Sequence, residues 1–141
     1  VLFDHPKGQL GTLICFESVF PDLVRRHVLS GAQVLINITN DSWFGFSAGP
    51  YQHALLNAMR AIENRVAIAR SATTGQSLFI DRFGRQFQQS NLFVETSLIR
   101  EINLEESGSF YTRFGNLFAW VCSLITLVIL VILHKKTVTT S

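Results

Sequence analysis

A long apolar run near the C-terminus constrains the architecture of this chain more than any other feature. Residues 117–133 contain no charged side chain, and residues 134–136, His-Lys-Lys, close the run. A bilayer core about 30 Å thick is crossed by about 20 helical residues, and residues 114–133 have that length. Tyr111 and Trp120 lie toward one end, where interfacial aromatic residues belong. The run predicts a transmembrane helix, and a buried helix of a soluble protein is the alternative.

The apolar run divides the chain into parts of different character. We predict a domain over residues 1–108, a juxtamembrane linker over residues 109–116, a transmembrane helix over residues 117–134 and a short tail over residues 135–141. The lysines that follow the run favour a cytoplasmic tail, with the domain on the opposite side of the membrane. Arg113 on the other flank acts against this bias.

Strand and helix patterns alternate in the first part of the chain. Residues 11–14 and 34–38 have apolar strand patterns, and residues 21–29 and 50–65 have helical patterns. This alternation predicts an α/β layer with a parallel sheet. The remaining predictions are a turn-rich lead-in over residues 1–10, two strands over residues 66–71 and 76–81, and an edge strand over residues 92–104.

One cysteine lies where the first strand pattern meets the first helix pattern. Cys15 follows the apolar residues 11–14, and Glu17 comes two positions later. The N–H groups and the partial positive charge of a helix start favour a thiolate over a thiol. Cys15 is therefore a candidate nucleophile, and the alternative is a small buried hydrophobic residue.

An Asn-Asp-Ser-Trp-Phe-Gly segment follows the next strand pattern. Because α/β proteins place their sites in loops at the carboxyl ends of parallel strands, we expect this segment and Cys15 to open at the same sheet edge. Trp43 and Phe44 are candidates to line an apolar pocket, with a place in the core as the alternative and as the default for Phe44. Asn40 and Asp41 are in the first instance turn and capping residues.

Charge and cysteine content argue against several classes of protein. The net charge is +2, and no basic cluster is interleaved with aromatic residues, so nucleic-acid binding has no support. Two cysteines do not make a disulfide framework, and Cys122 inside the apolar run is interpreted as a packing residue. Cys15 and the histidines lack ligand-like spacing, so we predict no metal and no cofactor.

The segment around Cys15 and several motifs after it occur in an order that suggests a known family. They are residues 14–17, 20–21, 39–45, 49–50, 52–53, 59–63, Arg70, Gly75 and, just before the apolar run, residues 111–115. In these motifs the chain resembles the apolipoprotein N-acyltransferases, which are membrane members of the nitrilase-like superfamily. The resemblance implies the C-terminal part of a nitrilase-like α-β-β-α sandwich, followed by one C-terminal transmembrane helix.

The resemblance also implies a reaction and its participants. A fatty acyl group would pass from a phospholipid to the N-terminal α-amine of a diacylglyceryl-cysteine lipoprotein precursor, on the periplasmic side of the inner membrane and in contact with membrane lipid. Cys15 would carry the acyl group as a thioester, the Phe16 backbone N–H would serve an oxyanion hole, and Glu17 would orient or assist the nucleophile. The implied substrate-binding residues are Asn40, Trp43, Phe44 and His53.

Three departures from the family pattern limit what the resemblance implies. Phe16 stands where the family commonly has Tyr, and Thr73 and Thr74 occupy a turn where Asn is common. The Glu and Lys of the family's Glu-Lys-Cys triad lie upstream of the cysteine, and nothing before Cys15 matches them, since Lys7 is too near the thiol strand. The chain is therefore interpreted as a C-terminal fragment that is inactive alone.

Two other function classes remain open. One is a membrane-anchored amidase or hydrolase of the nitrilase type, in which water replaces the amine acceptor. The other is a non-catalytic interaction module in which Cys15 is structural. Product analysis separates the first from an acyltransferase, and slow alkylation of Cys15 would favour the second.

Overall fold

A mixed β-sheet organises the chain in the computed structural model, which describes residues 2–104 and 106–139. Among these residues the sheet has six strands, and they lie side by side in sequence order. The central three pair in parallel, and the outer strands pair antiparallel. The strands are β1 (Leu2–His5), β2 (Gly8–Ile14), β3 (Val34–Thr39), β4 (Ala67–Ala72), β5 (Leu78–Ile80) and β6 (Gln86–Phe87). The predicted α/β layer with parallel strands is confirmed.

Two helices connect the parallel strands and cover one face of the sheet. Helix α1 (Pro21–Leu29) and helix α2 (Gly49–Asn64) both have a proline in the first turn, where its fixed φ suits the helix. Alanines on α2 permit close approach to the strands. The buried core consists of Leu13, Leu35, Ile68, Leu78 and Ile80 from the sheet and of Val24, Val28, Ala54, Ala58 and Ala61 from the helices.

Three polar side chains lie on the helix-covered face of the sheet, among the apolar core residues. Asn37 and Thr39 on β3 and Arg70 on β4 are buried, whereas Ile14 and Ile38 on the other face are more than half exposed. Because successive residues of a strand point to opposite faces, the three polar side chains share the face that carries the core. Their position near the carboxyl ends of the parallel strands brings them under the end of β2.

The predicted edge strand over residues 92–104 is wrong. The described sheet ends at β6, and residues 100–103 instead line a cavity of about 250 Å³ together with Ala67 and Phe79. The Arg100 guanidinium carbon lies 3.7 Å from the centre of the Phe87 ring, so the segment passes over the side chains of β6. This segment therefore packs over side chains of the sheet instead of pairing with its edge strand.

The predicted lead-in over residues 1–10 is only partly correct. It forms an antiparallel hairpin in which Leu2 pairs with Gly11 and His5 pairs with Gly8. The intervening turn is held by a bond from the Lys7 backbone N–H to His5 Nδ1, at 3.2 Å. The first long strand therefore starts earlier than its apolar pattern indicated, and Val1 lies outside the described residues.

The C-terminal part contains a short helix, α3 (Phe110–Phe114), and a long one, α4 (Leu117–Thr139). By length and composition, Leu117–Lys135 is apolar enough to cross a membrane, with a mean hydropathy of 2.6 and no part buried inside the structure. The helix continues beyond residue 134, where the predicted span ended. Residues 140–141 of the predicted tail lie outside the described residues.

Helix α3 is fastened to the sheet domain by hydrogen bonds. Arg25 of α1 donates from Nε to the Thr112 carbonyl at 2.7 Å and from Nη2 to the Arg113 carbonyl at 3.1 Å. Thr112 in turn donates from its hydroxyl to Asn64 Oδ1 at the end of α2, at 3.0 Å. We call the contacts of Arg25 with these two carbonyls the Arg25 clamp.

Candidate active site

Cys15 occupies a strained turn at the carboxyl end of β2. Its φ is +50°, in the left-handed region that a side chain other than glycine rarely adopts. It is also the first residue of a 3₁₀ helix, Cys15–Val19, that leads into α1. The side chain is half-buried. Strain of this kind persists only where the surroundings hold it, so the partners of this turn are informative.

Three side chains hold the backbone of the cysteine turn. The Cys15 carbonyl accepts hydrogen bonds from Asn37 Nδ2 at 3.2 Å and from the Ser18 hydroxyl at 3.3 Å. Glu17 reaches back, and its Oε2 accepts the Ile14 backbone N–H at 2.7 Å. In this structure the Glu17 carboxylate therefore braces the turn that presents Cys15.

A buried ion cluster lies beneath the turn. Arg70 donates from Nη2 to Asp41 Oδ2 at 2.6 Å, from Nη1 to Asn37 Oδ1 at 2.5 Å and from Nε to the Gln76 carbonyl at 3.2 Å. Asp41 is 0% exposed and Arg70 is 3% exposed. Since Asn37 also holds the Cys15 carbonyl, the guanidinium is linked to the cysteine turn through one side chain.

Two further side chains contact the Asp41 carboxylate in this ion cluster. His53 Nδ1 lies 3.0 Å from Asp41 Oδ1, and the Thr39 hydroxyl lies 3.0 Å from the same oxygen. Thr39 Oγ1 is also 3.4 Å from Cys15 Sγ. The cluster formed by Asn37, Thr39, Asp41, His53 and Arg70 is called the ion cluster below. It reaches the cysteine at both its carbonyl and its sulfur.

Burial disfavours the charged form of Arg70, and pairing with Asp41 favours it. Desolvation lowers the pKa of Arg70, and the Asp41 carboxylate beside it acts in the opposite direction. A buried pair of this kind is tolerated only with good geometry and with its remaining hydrogen-bonding groups satisfied. Gly75 makes room for the pair, because a Cβ at this position would collide with the Asp41 carboxylate.

Aromatic rings lie next to the cysteine turn. The Phe16 ring centre lies 5.8 Å from that of Trp43 and 5.1 Å from that of His53. Phe44 lies 5.2 Å from Trp43 and 6.0 Å from His53. We call Phe16, Trp43, Phe44 and His53 the aromatic cluster. It forms an apolar wall beside the residue that carries the thiol.

The burial of these rings decides between the alternatives left by the sequence. Trp43 is 68% exposed, so it does not fill the core, and Phe44 is half-buried. His53 is 3% exposed, and its Nε2 has no hydrogen-bond partner among the described residues. The aromatic cluster is therefore solvent-facing at Trp43 and closed at His53.

The structure brings the predicted site residues together at one sheet edge. Asn40 lies in the same loop, where its Oδ1 accepts the Ser42 backbone N–H at 3.0 Å, as expected for a turn residue. The turn-and-cap interpretation of Asp41 is wrong as its main role. Its side chain is turned inward, because the guanidinium of the next strand requires a counter-charge in the core.

Sequence reasoning gave no site role to Asn37, Thr39 or Arg70. A signal was present, since Arg70 lies two positions after the fully buried Ile68 and therefore shares its face of the strand. An arginine at such a position is almost never buried without a partner. Alternation along β4 therefore indicates that a buried counter-ion is needed, although it does not identify which residue supplies it.

The fold of this domain is that of nitrilase-superfamily proteins. The structure is similar to that of Saccharomyces cerevisiae Nit3, a member of branch 10 of the nitrilase superfamily, with a TM-score of 0.60 and 24% identity over 67% of this chain and 38% of that one. An amidase from Nesterenkonia sp. matches with a TM-score of 0.54 and 22% identity over 65% of this chain and 37% of that one. The predicted fold class is confirmed.

The sequence comparisons agree with the fold. The carbon-nitrogen hydrolase family model matches residues 1–112, and the chain belongs to the carbon-nitrogen hydrolase family.

Curated relatives carry a more specific name. Apolipoprotein N-acyltransferase from Geobacter metallireducens is 48% identical over 84% of this chain and 23% of its own length. The enzyme of that name from Chlorobaculum tepidum is 41% identical over 84% of this chain and 22% of its own length. The chain thus spans about a quarter of the length of these relatives. The resemblance found in the motifs is confirmed.

Proposed function

We propose that this chain supplies the cysteine-bearing part of an apolipoprotein N-acyltransferase. The enzyme would move a fatty acyl group from a phospholipid to the N-terminal α-amine of a diacylglyceryl-cysteine lipoprotein precursor. The observation that carries the proposal is the presentation of Cys15, which is half-buried at a left-handed strand end beside an exposed aromatic wall. Curated relatives of that name match 84% of the chain, which supports the assignment.

The first half-reaction acylates the sulfur. The Cys15 thiolate attacks the ester carbonyl carbon of the phospholipid, a C–S bond forms, and the carbonyl electrons move to oxygen. When the oxyanion collapses, the C–O ester bond breaks, and the lysophospholipid alkoxide leaves with a proton from a general acid. The product on the enzyme is a thioester, which amines attack readily.

The second half-reaction transfers the acyl group. The α-amine of the lipoprotein precursor attacks the thioester carbonyl, a C–N bond forms, and a base takes the proton from nitrogen. The C–S bond then breaks, and the sulfur leaves as the thiolate with which the cycle began. The two substrates act in turn, as in a ping-pong sequence.

The neighbours of Cys15 support this chemistry in different ways. The Phe16 backbone N–H lies at the start of the 3₁₀ helix, where the first N–H groups have no intrahelical acceptor, and it would donate to the oxyanion. Glu17 would orient the nucleophile, a role supported by its bond to the Ile14 N–H. The exposed Trp43 would pack on an acyl chain or on backbone. Asn40, Phe44 and His53 would shape the remaining substrate-binding wall.

Other parts of the enzyme would complete the site. The chain spans about a quarter of its curated relatives, and this supports supply of the triad's Glu and Lys from residues upstream of Cys15. Helix α4 would lie in the inner membrane of a multi-pass protein, with residues 1–108 on the periplasmic side and residues 135–141 in the cytoplasm. Its apolar composition supports a membrane span, and the lysines near its end support this orientation.

Acylation of Cys15 tests the proposal directly. We expect the full-length protein that contains this chain, incubated with phospholipid in detergent, to gain the mass of one acyl chain on the peptide that carries Cys15. Cys15→Ala should abolish the adduct completely, because the sulfur is the acceptor. Cys122→Ala is the matched control and should retain it. An unmodified Cys15 peptide under conditions of turnover would overturn the proposal.

A carbon-nitrogen hydrolase activity is the second candidate. The family match over residues 1–112 and the similarity to an amidase fold favour it. Water would then attack the thioester, and the product would be a free fatty acid rather than an acylated peptide. Product analysis with a synthetic diacylglyceryl-cysteine peptide as acceptor separates the two activities. A Cys15 thiol that alkylates no faster than an ordinary thiol would point instead to an interaction module.

A further inference from the structure

The Thr39 hydroxyl lies between two hydrogen-bond acceptors, the Cys15 sulfur and the Asp41 carboxylate. In the proposed reaction the charge of the sulfur changes and that of the carboxylate does not. Its oxygen is 3.4 Å from Cys15 Sγ and 3.0 Å from Asp41 Oδ1. Thr39 is 5% exposed, so solvent does not replace these contacts. A hydroxyl has a single proton, which it donates to one acceptor at a time.

We infer that Thr39 is a catalytic residue whose hydroxyl donates to the Cys15 sulfur when this is a thiolate and returns to the Asp41 carboxylate when the sulfur is acylated. The inference rests on the proposed function, because it concerns the thiolate and thioester states of that reaction. Nothing in the resemblance to the acyltransferases gave Thr39 this role.

The charge on sulfur determines which acceptor receives the proton. A thiolate carries a full negative charge, and hydrogen bonds to charged groups are roughly twice as strong as neutral ones. A thioester sulfur is neutral and accepts weakly. Because Thr39 is β-branched and its side chain is stiff, the oxygen stays in place while only its proton turns.

The ion cluster keeps the Asp41 carboxylate paired while the Thr39 proton changes acceptor. When Thr39 turns toward sulfur, Asp41 Oδ1 still has His53 Nδ1 at 3.0 Å, and Oδ2 still has Arg70 Nη2 at 2.6 Å. The carboxylate is therefore not left unpaired in the core, which would be costly. The positive charge of Arg70 also attracts a charged sulfur, since a negative Cys15 raises the pKa of Arg70.

The same donor serves both half-reactions. It stabilises the thiolate before attack on the ester, and again when the sulfur leaves the tetrahedral intermediate in the transfer step. An interaction that is present with the anion and lost with the thioester favours the states in which sulfur bears charge. The Glu17 carboxylate, which also lies near the turn, is engaged with the Ile14 N–H.

Removal of the hydroxyl tests this inference. In the full-length protein we expect Thr39→Val, which keeps the shape of the side chain, to slow alkylation of Cys15 by iodoacetamide about tenfold at neutral pH. The rate-against-pH profile should move to higher pH and reach the wild-type plateau or exceed it. Thr39→Ser retains a hydroxyl, and its profile should stay close to that of the wild type. Thr39→Val should slow both acylation by phospholipid and transfer to peptide.

A second pair of variants keeps the test decisive if Thr39→Val does not fold. Thr39→Ala lacks the hydroxyl and creates no shape conflict, so it must behave as Thr39→Val, with Thr39→Ser as its partner. Hydroxyl-free variants whose alkylation profile coincides with the wild-type profile would overturn the inference. Alkylation requires no lipid, so this outcome is distinct from failure of the proposed function, which would appear as an unacylated wild-type Cys15.

Discussion

Two buried arginines support the two ends of the cysteine turn, and they do so differently. Arg70 donates from all three of its guanidinium nitrogens to acceptors between 2.5 and 3.2 Å away. Arg60 bonds Glu63 Oε1 at 3.0 Å and reaches the Val19 carbonyl only at 3.5 Å. Its Nε and the second oxygen of Glu63 have no partner among the described residues.

The difference separates a fixed charge from an adjustable one. Arg70 and Asp41 are both sealed in the core, and each charge depends on the other. Glu63 is partly exposed, burial raises its pKa, and Arg60 only partly opposes that rise. Glu63 is therefore able to give up its charge by binding a proton. We therefore expect removal of the guanidinium to destabilise the fold strongly at Arg70 and mildly at Arg60.

The largest effect is expected from Arg70→Met. This change leaves the Asp41 carboxylate buried without its counter-ion, and we expect the free energy of unfolding to fall by about 3–5 kcal/mol. Thermal unfolding of the full-length protein in detergent measures the loss. Arg60→Met is the matched control and should cost clearly less, because Glu63 can take up a proton. Equal losses for the two variants would break the comparison.

A neutral partner sharpens the same prediction. The double variant Asp41→Asn with Arg70→Met removes both charges, so it should recover part of the stability that Arg70→Met loses. If the two changes instead add without recovery, the ion pair is not the source of the loss.

A smaller effect is expected from Gly75→Ala. The added Cβ would meet the Asp41 carboxylate, and overpacking of this kind costs about 1–3 kcal/mol. Because the displaced carboxylate belongs to the ion cluster, the variant should also slow alkylation of Cys15. Gly31→Ala is a useful control, since it strains a positive φ in open space away from the cluster. A Gly75→Ala protein that melts and alkylates as the wild type does would contradict the tight contact.

The smallest effect is expected from Glu63→Gln. Burial raises the pKa of the Glu63 carboxyl above its ordinary value, so the folded protein holds this proton to higher pH than the unfolded chain does. The contribution of Glu63 is therefore fully present at low pH and is lost as pH rises through the raised pKa. Glu63→Gln should be as stable as the wild type or slightly more stable at about pH 8, by less than about 1 kcal/mol.

The pH dependence provides the measurement for that variant. Above the ordinary carboxyl pKa of 4.5, unfolding temperatures should fall less steeply with rising pH for Glu63→Gln than for the wild type. Arg60→Met should have the steeper profile, because Arg60 lowers the pKa of Glu63 and its loss lets that pKa rise further. A Glu63→Gln profile parallel to that of the wild type would show that the carboxyl does not titrate in this range.

Local patterns accounted for the strand, turn and helix that present Cys15, since apolar runs and Pro21 carry that information within a few residues. They also placed the loop of Trp43 and Phe44 at the same sheet edge, because parallel strands end together. The ion cluster was beyond their reach. Asp41 and Arg70 pair across 29 positions of sequence, and only the neighbouring positions of β3 and β4 reveal which carboxylate meets which guanidinium.

The edge strand failed for a related reason. Residues 92–104 alternate loosely, and such a pattern does not distinguish pairing along a sheet edge from packing across the sheet. The stacking of Arg100 on Phe87 favoured the second arrangement. The hairpin of β1 was missed because its turn residues are frequent in loops of every kind.

The Arg25 clamp has a mechanical consequence for helix α4. With α3 bonded to the domain, Gly115 and Asn116 are the two residues between that domain and the apolar helix, and Gly115 adopts a φ of +60° there. A change of backbone angle at these two residues would redirect α4 relative to the sheet while the Arg25 clamp stays intact.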